Sequence, residues 1–551
     1  MRSRRAIVAA ALCSGVALAL AFGSCQRKRS EQASATPSIL TPPAPPAPRI
    51  NGASVFGVRP GAPFLFQIAA TGERPIEYSA SELPAGLTLD SKTGRITGRI
   101  AEEGRHVVTL GAVNSHGSAE RPLRIVVGER IALTPPMGWN IWNIWAGTVT
   151  QEKVRKAADA IVATGLRDHG WTYVNIDDGW QGTRGGEFNA IMPNRNFPDL
   201  GKLAAEVHAR GLKLGIYSSP GRTTFLGHIG SSADFEDGST DWLRAGTHTS
   251  EFKFKYPKWE SWMQRYSWLQ PLNERAKDKS RGRISKKLRT FGRFSFVRQD
   301  ARQWTAWGVD YLKYDWVPID VAHTSEMSRE LRASGRDIVF TITNNARFND
   351  AGELAQLANA WRTSGDVKDE WDDLSEIGFS RDRWAPFSAP GSYNDPDMLL
   401  VGQVGWGKPR PTRLTPNEQY TQISLWCLLA APLLLGCDLE KLDPFTLSLL
   451  TNDEVLAVNQ DALCKQATRV VKSGSGEVFA KVLEDGSSAI GLFNRGDSER
   501  KVRVSWSDMG IGGAQRVRDL WRQQDLGAFP DGFEASVPRH GVVLLKVAPE
   551  R

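Results

Sequence analysis

Alternating strand-like and helix-like segments constrain the fold of this chain more than any other feature of its sequence. Helical periodicity precedes the first clear strand, where Val154, Ala157 and Ile161 recur at spacings of three or four residues. Repeated units of this kind predict a parallel sheet, and their number within residues 129–460 predicts a closed (β/α)8 barrel, a TIM barrel. The strand-like runs are YVNID (173–177), LKLGIYS (212–218), DYLKYDW (310–316), IVFTIT (338–343), ANAWRTSGD (358–366) and GSYNDPDMLL (391–400).

Two β-rich segments flank the predicted barrel. In residues 50–128, strand-like runs such as PFLFQIAA and RHVVTLGAV alternate with turn sequences, which predicts a small antiparallel β-sandwich. Its run LPAGLTLDSKTGRITGRI resembles the Ig-like modules of exported bacterial proteins, which implies a spacer or a binding module. Residues 461–551 return to short strands such as EVFAKVLED and GVVLLKV, and predict an antiparallel β-sandwich that follows the barrel.

The N-terminus has the composition of an export signal. Three arginines within the first five residues precede an apolar run over residues 6–22, and Gly23 and Ser24 then lead to Cys25. Residues 1–25 are therefore predicted to be a signal peptide. The two small residues before Cys25 also fit a lipoprotein signal, with a lipid anchor on that cysteine. Ordinary secretion is the alternative. The protein is expected to be exported, to the periplasm, the cell surface or the medium, with residues 26–49 as a Pro/Ala-rich linker.

The location of the positive charge decides what it means. The chain has 69 Lys and Arg against 61 Asp and Glu, but residues 251–300 alone hold 14 basic and five acidic residues. The rest of the chain is close to neutral, which argues against nucleic-acid binding by the whole protein. The basic stretch belongs to a predicted insertion at about residues 227–290, which contains the aromatic residues Trp259, Trp262, Tyr266 and Trp268.

The length of this insertion exceeds that of an ordinary barrel loop. On the catalytic face of a barrel, such an excursion is a lid, a wall of the substrate site or a surface ornament. One hypothesis is that its basic residues contact anionic groups of a glycan, such as sulfate or uronate. A solvated loop and a membrane-facing patch on an anchored protein are the alternatives.

Cysteine usage predicts neither a disulfide scaffold nor a metal centre. Cys427 and Cys437 lie in the apolar run SLWCLLAAPLLLGCDL, where buried thiols are the usual outcome. The sequence has neither CxxC nor HExxH, and its eight histidines are scattered. No metal site is expected.

Acidic and aromatic residues collect at the ends of the predicted strands, which is where a barrel places its active site. One carboxylate at such a position is often a helix cap or a partner for arginine. Carboxylates at four strand ends, together with a lysine, an arginine and several indoles, indicate a site for chemistry. These residues are Trp139, Asn140, Trp142, Asp177, Asp178, Trp180, Tyr217, Lys313, Asp315, Trp316, Arg362, Asp366, Asn394, Asp395 and Asp397.

This combination suits a carbohydrate substrate. Carboxylates accept hydrogen bonds from sugar hydroxyls, indole rings pack on sugar C–H faces, and hydrolysis of a glycosidic bond needs two carboxyl groups in different roles. Strand alternation puts Lys313 and Asp315 on the same face, so the lysine is expected to keep the Asp315 carboxylate ionised. Asp366 lies in the acidic segment SGDVKDEWDD, where burial or like charge is expected to raise its pKa, as a general acid requires.

Seven motifs, in the same order along the chain, resemble those of glycoside hydrolase family 27, which comprises α-galactosidases and α-N-acetylgalactosaminidases. The resemblance implies a (β/α)8 barrel followed by an antiparallel β-domain, hydrolysis with retention of configuration, and no cofactor. The motifs are PPMGWNIW, YVNIDDGW, GLKLGIYSS, WGVDYLKYDW, WRTSGD, NDPDML and LLAAPLLLGCDL.

The resemblance also implies roles for individual residues. Asp315 in LKYDW corresponds to the nucleophile, and Asp366 in WRTSGD corresponds to the acid/base. Asp177 and Asp178 correspond to the residues that bind the 4-OH and 6-OH of the terminal sugar. The remaining pocket residues implied are Trp139 as the stacking face, with Tyr217, Lys313 and Arg362 lining the same pocket.

The chain departs from the family pattern at several positions. Asn175 and Gly179 stand where many members have cysteine, so that disulfide is absent. Thr343 and Ala346, after the fifth strand, are small where galactosidases tend to have larger residues, and the usual Trp-Pro between them is replaced by Asn344-Asn345. The long insertion is the third departure. These differences bear on which sugar is accepted.

The sequence therefore predicts a retaining exo-glycosidase that hydrolyses terminal non-reducing α-D-galactosyl residues through a glycosyl-aspartate intermediate. Its expected partner is an α-galactoside oligosaccharide or polysaccharide, not a nucleic acid; no oligomeric state is predicted. An α-N-acetylgalactosaminidase of the same family is one alternative, favoured by Thr343 and Ala346. A non-hydrolytic carbohydrate-binding surface protein is the alternative from another class, and the presence of both Asp315 and Asp366 argues against it.

Overall fold

A computed structural model describes residues 37–239 and 291–550 of the chain. Residues 40–551 form one compact unit; of the preceding unit, residues 1–39, only residues 37–39 are described. The predicted signal peptide, the lipid anchor, the first part of the linker and most of the basic insertion thus lie outside the described residues. Among those described, no helix combines the length and the apolar character needed to span a bilayer.

Eight parallel strands form a barrel in the order in which they occur along the chain, which confirms the predicted (β/α)8 fold. The eighth strand pairs with the first. The barrel closes between the seventh and eighth strands through hydrogen bonds from Leu399 N to Leu434 O (2.8 Å) and from Gly436 N to Leu399 O (3.0 Å). The strands are β1 (Met137–Asn140), β2 (Tyr173–Asn175), β3 (Lys213–Ser218), β4 (Tyr311–Asp315), β5 (Val339–Thr343), β6 (Ala360–Arg362), β7 (Tyr393–Asp395) and β8 (Leu433–Leu435).

Helices surround the barrel, and several of them begin after a residue whose side chain caps the first turn. Helix α2 begins after Thr150, whose side chain accepts a hydrogen bond from Lys153 N (3.3 Å), and the chain turns away at Gly165 with a φ of 79°. The helices of the described residues are α1 (Trp142–Trp145), α2 (Gln151–Ala163), α3 (Leu200–Ala209), α4 (Val297–Trp307), α5 (Val321–Arg332), α6 (Ala351–Leu357), α7 (Trp371–Phe379), α8 (Pro416–Leu428), α9 (Pro444–Leu450) and α10 (Asp453–Asn459).

Side-chain alternation along the strands separates an apolar shell from a polar interior. In β4, Leu312 and Tyr314 belong to the large core cluster that the helices share, whereas Lys313 and Asp315 point into the barrel, as predicted. A second apolar cluster, which includes Tyr311 of the same strand, lies toward the N-terminal ends and forms a floor beneath the polar residues. Its buried members are Ile131, Tyr173, Tyr311, Val339, Met398 and Leu434.

An Ig-like sandwich covers the N-terminal end of the barrel. Arg59 donates its backbone N–H to Asp337 Oδ2 (3.0 Å) and its guanidinium to Oδ1 (3.3 Å), and Asp337 lies two residues before β5. The ammonium of Lys213, at the start of β3, lies 4.7 Å from the ring centroid of Phe56. The sandwich has a four-stranded sheet (Val55–Val58, Gly117–Val127, Gly104–Asn114, Glu77–Ser81), a three-stranded sheet (Phe64–Gln67, Arg95–Gly98, Leu87–Asp90) and a pair (Arg49–Ile50, Ala70–Thr71).

The predicted C-terminal antiparallel domain packs on α8. A capping box of Thr415 and Glu418 starts this helix, and every residue from Glu418 to Leu428 is buried because the barrel lies on one side and the β-domain on the other. Lys481 of the β-domain donates to Cys427 O (3.2 Å) across this interface. The domain has a six-stranded sheet (Thr468–Ser473, Gly476–Val482, Ser488–Asn494, Val542–Pro549, Gln515–Asp519, Gln524–Phe529) and a pair (Arg500–Ser505, Gly532–Val537).

Short antiparallel pairs also extend from the barrel loops. One of them, the pair of strands Gln403–Val404 and Arg410–Pro411, follows β7 and is called the rim hairpin below. The second pair, Gln181–Gly185 with Ala190–Pro193, follows β2. The third pair, Ser232–Ala233 with Phe294–Ser295, lies in the long segment between β3 and α4.

Candidate active site

Buried carboxylates meet at the C-terminal end of the barrel because parallel strands all end there. Asp177 follows β2 and is 2% exposed. Its Oδ2 accepts hydrogen bonds from Lys313 Nζ (2.8 Å) and Asn140 Nδ2 (2.9 Å). The lysine thus pairs with Asp177 and not with Asp315, which differs from the sequence-based expectation, although its charge still acts on Asp315.

Asp315, the last residue of β4, is held by two neutral donors. Tyr217 donates its hydroxyl to Oδ2 (2.7 Å), and Asn344 donates its side-chain amide to Oδ1. Burial raises the pKa of Asp315 to about 8, and the negative charges of Asp366 and Asp177 add to that effect, while Lys313 and the Tyr217 hydroxyl lower the pKa. The net shift is upward, so the expectation that Lys313 keeps this carboxylate ionised is wrong: burial outweighs the lysine. The donors favour the ionised carboxylate that a nucleophile requires.

The donor Asn344 was not foreseen from the sequence. It follows β5 and has a φ of 83°, and Asn345 has a φ of 45°, so both residues occupy the left-handed region that asparagine tolerates better than most side chains. The doublet turns the chain so that Ala346, 5% exposed, packs in the barrel core. An asparagine pair directly after a buried strand is the signal that points to this turn.

Asp178 presents an unpaired oxygen at the closed end of the site. Its Oδ2 accepts a hydrogen bond from Leu226 N (2.8 Å), in the loop after β3. Its Oδ1 is buried and has no hydrogen-bond partner. Burial raises the pKa of Asp178 to about 7, because the charged form has lost its water. The loop directly before the insertion therefore lies against this carboxylate.

Asp366 and Arg362 differ sharply in exposure. The Arg362 side chain is 3% exposed and binds Asp366 Oδ1 (2.6 Å) through one nitrogen and Asp397 Oδ1 (2.5 Å) through another. The Asp366 side chain is 78% exposed, so the predicted burial of this carboxyl is not found. Asp397 Oδ2 also accepts from Val367 N (2.8 Å), which fixes the loop that carries Asp366.

The structure corrects the predicted stacking residue. Trp139 is 1% exposed, belongs to the core shell between the barrel and its helices, and donates its indole N–H to Cys437 O (2.7 Å). The alternation of β1 explains this position, since its neighbour Asn140 points inward to Asp177. Trp142, three residues later, is only half-buried and packs on the apolar cluster inside the barrel. The period-2 pattern of β1 contains this signal.

No group of three or more His, Cys, Asp or Glu within residues 37–239 and 291–550 is arranged to hold a metal ion. The cysteines of that part of the chain, Cys427, Cys437 and Cys464, are buried and unbonded to each other. Burial raises the pKa of the Cys427 and Cys437 thiols to about 12, which makes them inert core residues.

Family models match all three domains. A model described as alpha galactosidase A matches residues 134–276 and 287–461, and one described as alpha galactosidase C-terminal beta sandwich domain matches residues 473–547. An Ig domain model matches residues 47–128. These matches cover the barrel and both of the β-domains seen in the structure.

Individual relatives agree with these matches. The chain is 32% identical to alpha-galactosidase 2 of Arabidopsis thaliana over 76% of this chain and 90% of that protein. It is 28% identical to the alpha-N-acetylgalactosaminidase of Gallus gallus over 76% of this chain and 95% of that protein. A crystal structure from Bacteroides fragilis, of a candidate alpha-galactosidase/melibiase, superposes with a TM-score of 0.76 at 30% identity, over 93% of this chain and 99% of that one.

The barrel, its paired carboxylates and these relatives define a glycoside hydrolase. More narrowly, the chain belongs to the alpha-galactosidase A family, glycoside hydrolase family 27. The resemblance read from the seven motifs is thereby confirmed.

Proposed function

We propose that this protein is a retaining exo-glycosidase that removes terminal α-D-galactosyl residues from oligosaccharides or polysaccharides. The observation that carries the proposal is the free, buried Oδ1 of Asp178 beside the fixed carboxylate of Asp177. Two such carboxylates at the closed end of a pocket offer acceptors for two hydroxyls of one terminal sugar. Both carboxylates are buried, and Leu226 N donates to Asp178 Oδ2 from the loop after β3, which suits an enzyme that works from the chain end.

The proposed reaction uses Asp315 and Asp366 in turn. The Asp315 carboxylate attacks C1 of the sugar while Asp366 gives its proton to the glycosidic oxygen, so that the leaving group departs and a glycosyl-aspartate ester forms. Asp366, now a carboxylate, takes a proton from water, and that water attacks C1 and releases Asp315. Two inversions give net retention. Tyr217, Lys313 and Arg362 hold the charged groups in place.

Trp142 is the proposed stacking face for the sugar. Its backbone N–H donates to Asn140 Oδ1 (2.9 Å), Asn140 contacts Asp177, and the half-buried indole packs on the apolar cluster inside the barrel. An indole packed on the C–H face of a pyranose contributes apolar contact without competing for the hydroxyls.

A panel of nitrophenyl glycosides, read by proton NMR of the anomer formed first, tests this proposal. The expected result is hydrolysis of the α-galactoside with release of the α-anomer. A strong preference for the 2-acetamido analogue would identify an α-N-acetylgalactosaminidase instead. Release of the β-anomer would refute retention, and binding without hydrolysis would indicate the carbohydrate-binding alternative.

We also propose that the protein is exported, because of the N-terminal arginines and the apolar run before Cys25. Fractionation of the native host with an antibody to the barrel tests this. Cys25→Ser should release a lipid-anchored protein from membranes; a wild-type protein that is already free in the periplasm or the medium would indicate ordinary secretion.

A further inference from the structure

The rim hairpin lies beside the candidate site and has no role in the chemistry described so far. Its turn contains Trp406, which is half-buried and has a φ of 49°. A left-handed backbone is uncommon for a bulky side chain and is retained only where the surroundings fix it. The hydrogen bonds of the hairpin account for the left-handed conformation of Trp406.

One side of the hairpin is clamped to the loop that carries Asp366. Asp369, three residues after Asp366, has a fully buried side chain and accepts hydrogen bonds from the guanidinium groups of Arg410 (2.5 and 3.1 Å) and Arg413 (3.0 Å). It also accepts from Arg413 N (2.8 Å). Several charge-assisted bonds to one buried carboxylate hold the hairpin and this loop in a fixed arrangement.

The turn of the hairpin is bound to α1 on the opposite side. Gly405 N and Trp406 N both donate to Asn143 O (2.8 Å each), and Gly407 N donates to Ile144 O (2.8 Å). Helix α1 starts at Trp142, the proposed stacking residue. The turn with Trp406 is therefore held between the loop of the acid/base and the loop of the stacking indole.

The exposure of the two catalytic carboxyls shows on which side the leaving group lies. Asp315 is 8% exposed, whereas the side chain of Asp366 is 78% exposed. Because the acid/base protonates the glycosidic oxygen, the leaving group must lie next to Asp366, on the solvent side of the pocket. The rim hairpin is attached to the same loop as Asp366, through Asp369.

We propose that Trp406 forms part of a binding site for the leaving-group sugar, a pyranose or furanose ring that stacks on its indole. The half-buried indole packs on the large core cluster, and the Arg410 guanidinium lies over its ring, 5.9 Å from the centroid, so the ring is held in place before substrate arrives. Preorganised aromatic surface binds a sugar with little loss of side-chain entropy. This inference rests on the proposed function, because it requires hydrolysis of a glycoside.

The test compares two substrates that share the galactosyl group. Raffinose has a disaccharide leaving group, whereas α-galactosyl fluoride leaves only fluoride, which cannot stack. For Trp406→Leu, which keeps an apolar side chain but removes the flat ring, kcat/KM on raffinose should fall about tenfold relative to kcat/KM on the fluoride. Trp406→Phe, the matched control, retains a flat ring and should keep the ratio within about threefold of wild type.

An unchanged ratio in Trp406→Leu would overturn the inference. An equal loss on both substrates would also overturn it, because the residue would then support the fold or the galactosyl site. If the wild-type protein hydrolyses neither substrate, the proposed function itself fails, and that outcome is distinct from either of the others.

Discussion

Asn344 donates its side-chain amide to Asp315 from a left-handed backbone conformation. Together with the Tyr217 hydroxyl, it surrounds the proposed nucleophile with neutral donors, while the nearest lysine is bound to Asp177. Neutral donors stabilise the carboxylate without adding a charge that would compete with the cationic character of the reacting sugar.

Replacement of Asn344 by alanine should shift the acid limb of the pH profile of kcat/KM to higher pH. The nucleophile acts as an anion, and loss of a donor raises its pKa because the charged form loses stabilisation. A hydrogen bond to a charged group contributes roughly 1.5–3 kcal/mol, so the shift should be about 1–2 pH units. Tyr217→Phe should shift the limb in the same direction. An unchanged limb in both variants would contradict this role of the donors.

Asp366→Ala should separate substrates by the acidity of their leaving groups. Nitrophenolate leaves without protonation, so its cleavage should fall far less than that of raffinose, for which a loss of about 10²–10⁴-fold is expected. Steady-state rates on the two substrates measure the difference. Equal losses would show that Asp366 does not protonate the leaving oxygen; in Asp315→Ala both activities should disappear.

Asp178→Asn should stabilise the protein near neutral pH while it lowers activity. Burial raises the pKa of Asp178 from 3.8 to about 7. Between about pH 4 and pH 7, the Asp178 carboxyl is therefore protonated in the folded protein but ionised in the unfolded chain. This contribution to the free energy of unfolding therefore falls as pH rises from about 4 to about 7. The variant should melt roughly 1–3 °C higher than wild type at pH 7 and at the same temperature at pH 4. Asp372→Asn, at an exposed carboxylate, serves as the control and should show no such pH dependence.

Trp142→Ala should lower kcat/KM on nitrophenyl α-galactoside by about 10–100-fold, because it removes the proposed stacking face. Trp139→Phe is the matched variant, since the structure places that indole behind the strand. It should lower the melting temperature but leave KM within about twofold of wild type. A larger KM effect at residue 139 than at residue 142 would restore the role first predicted for Trp139.

Arg59→Ala should destabilise the chain without an effect on the active site. It removes the guanidinium that donates to Asp337 Oδ1 between the Ig-like domain and the barrel, and leaves that carboxylate, whose side chain is 17% exposed, with only the backbone N–H of residue 59 from the Ig-like domain. A cost of about 1–3 kcal/mol is expected from denaturant unfolding. The double variant with Asp337→Ala should recover part of that cost, as a double-mutant cycle would show. Additive losses would mean that the pair is not coupled.

The features predicted well from the sequence depend on periodicity and order. Strand alternation alone places Lys313 and Asp315 inside the barrel, and the same alternation, applied to β1, excludes Trp139 from the pocket and points to residues 140 and 142. The motif match assigned the stacking role to Trp139, which lies behind the strand, because a motif carries order along the chain but not the direction of a side chain.

The features not predicted depend on contacts between distant segments. The hydrogen bonds of Lys313 with Asp177, and of Asp369 with Arg410, join residues more than 40 positions apart or on separate strands. Asn344 has a left-handed backbone conformation and also contacts Asp315 on another strand. Neither periodicity nor composition predicts these two features. Exposure of Asp366 is likewise set by how its loop lies on the barrel.

The enclosure of α8 has a practical consequence for anyone who wishes to shorten this enzyme. A fragment that stops at residue 460 would lose Phe479, Phe493, Trp521 and Leu544, and would expose the apolar side chains of the barrel helices that share a core with them. Such a fragment should aggregate on expression. The smallest soluble catalyst obtainable from this chain keeps its C-terminal sheet, even though that sheet contributes no carboxylate to the pocket.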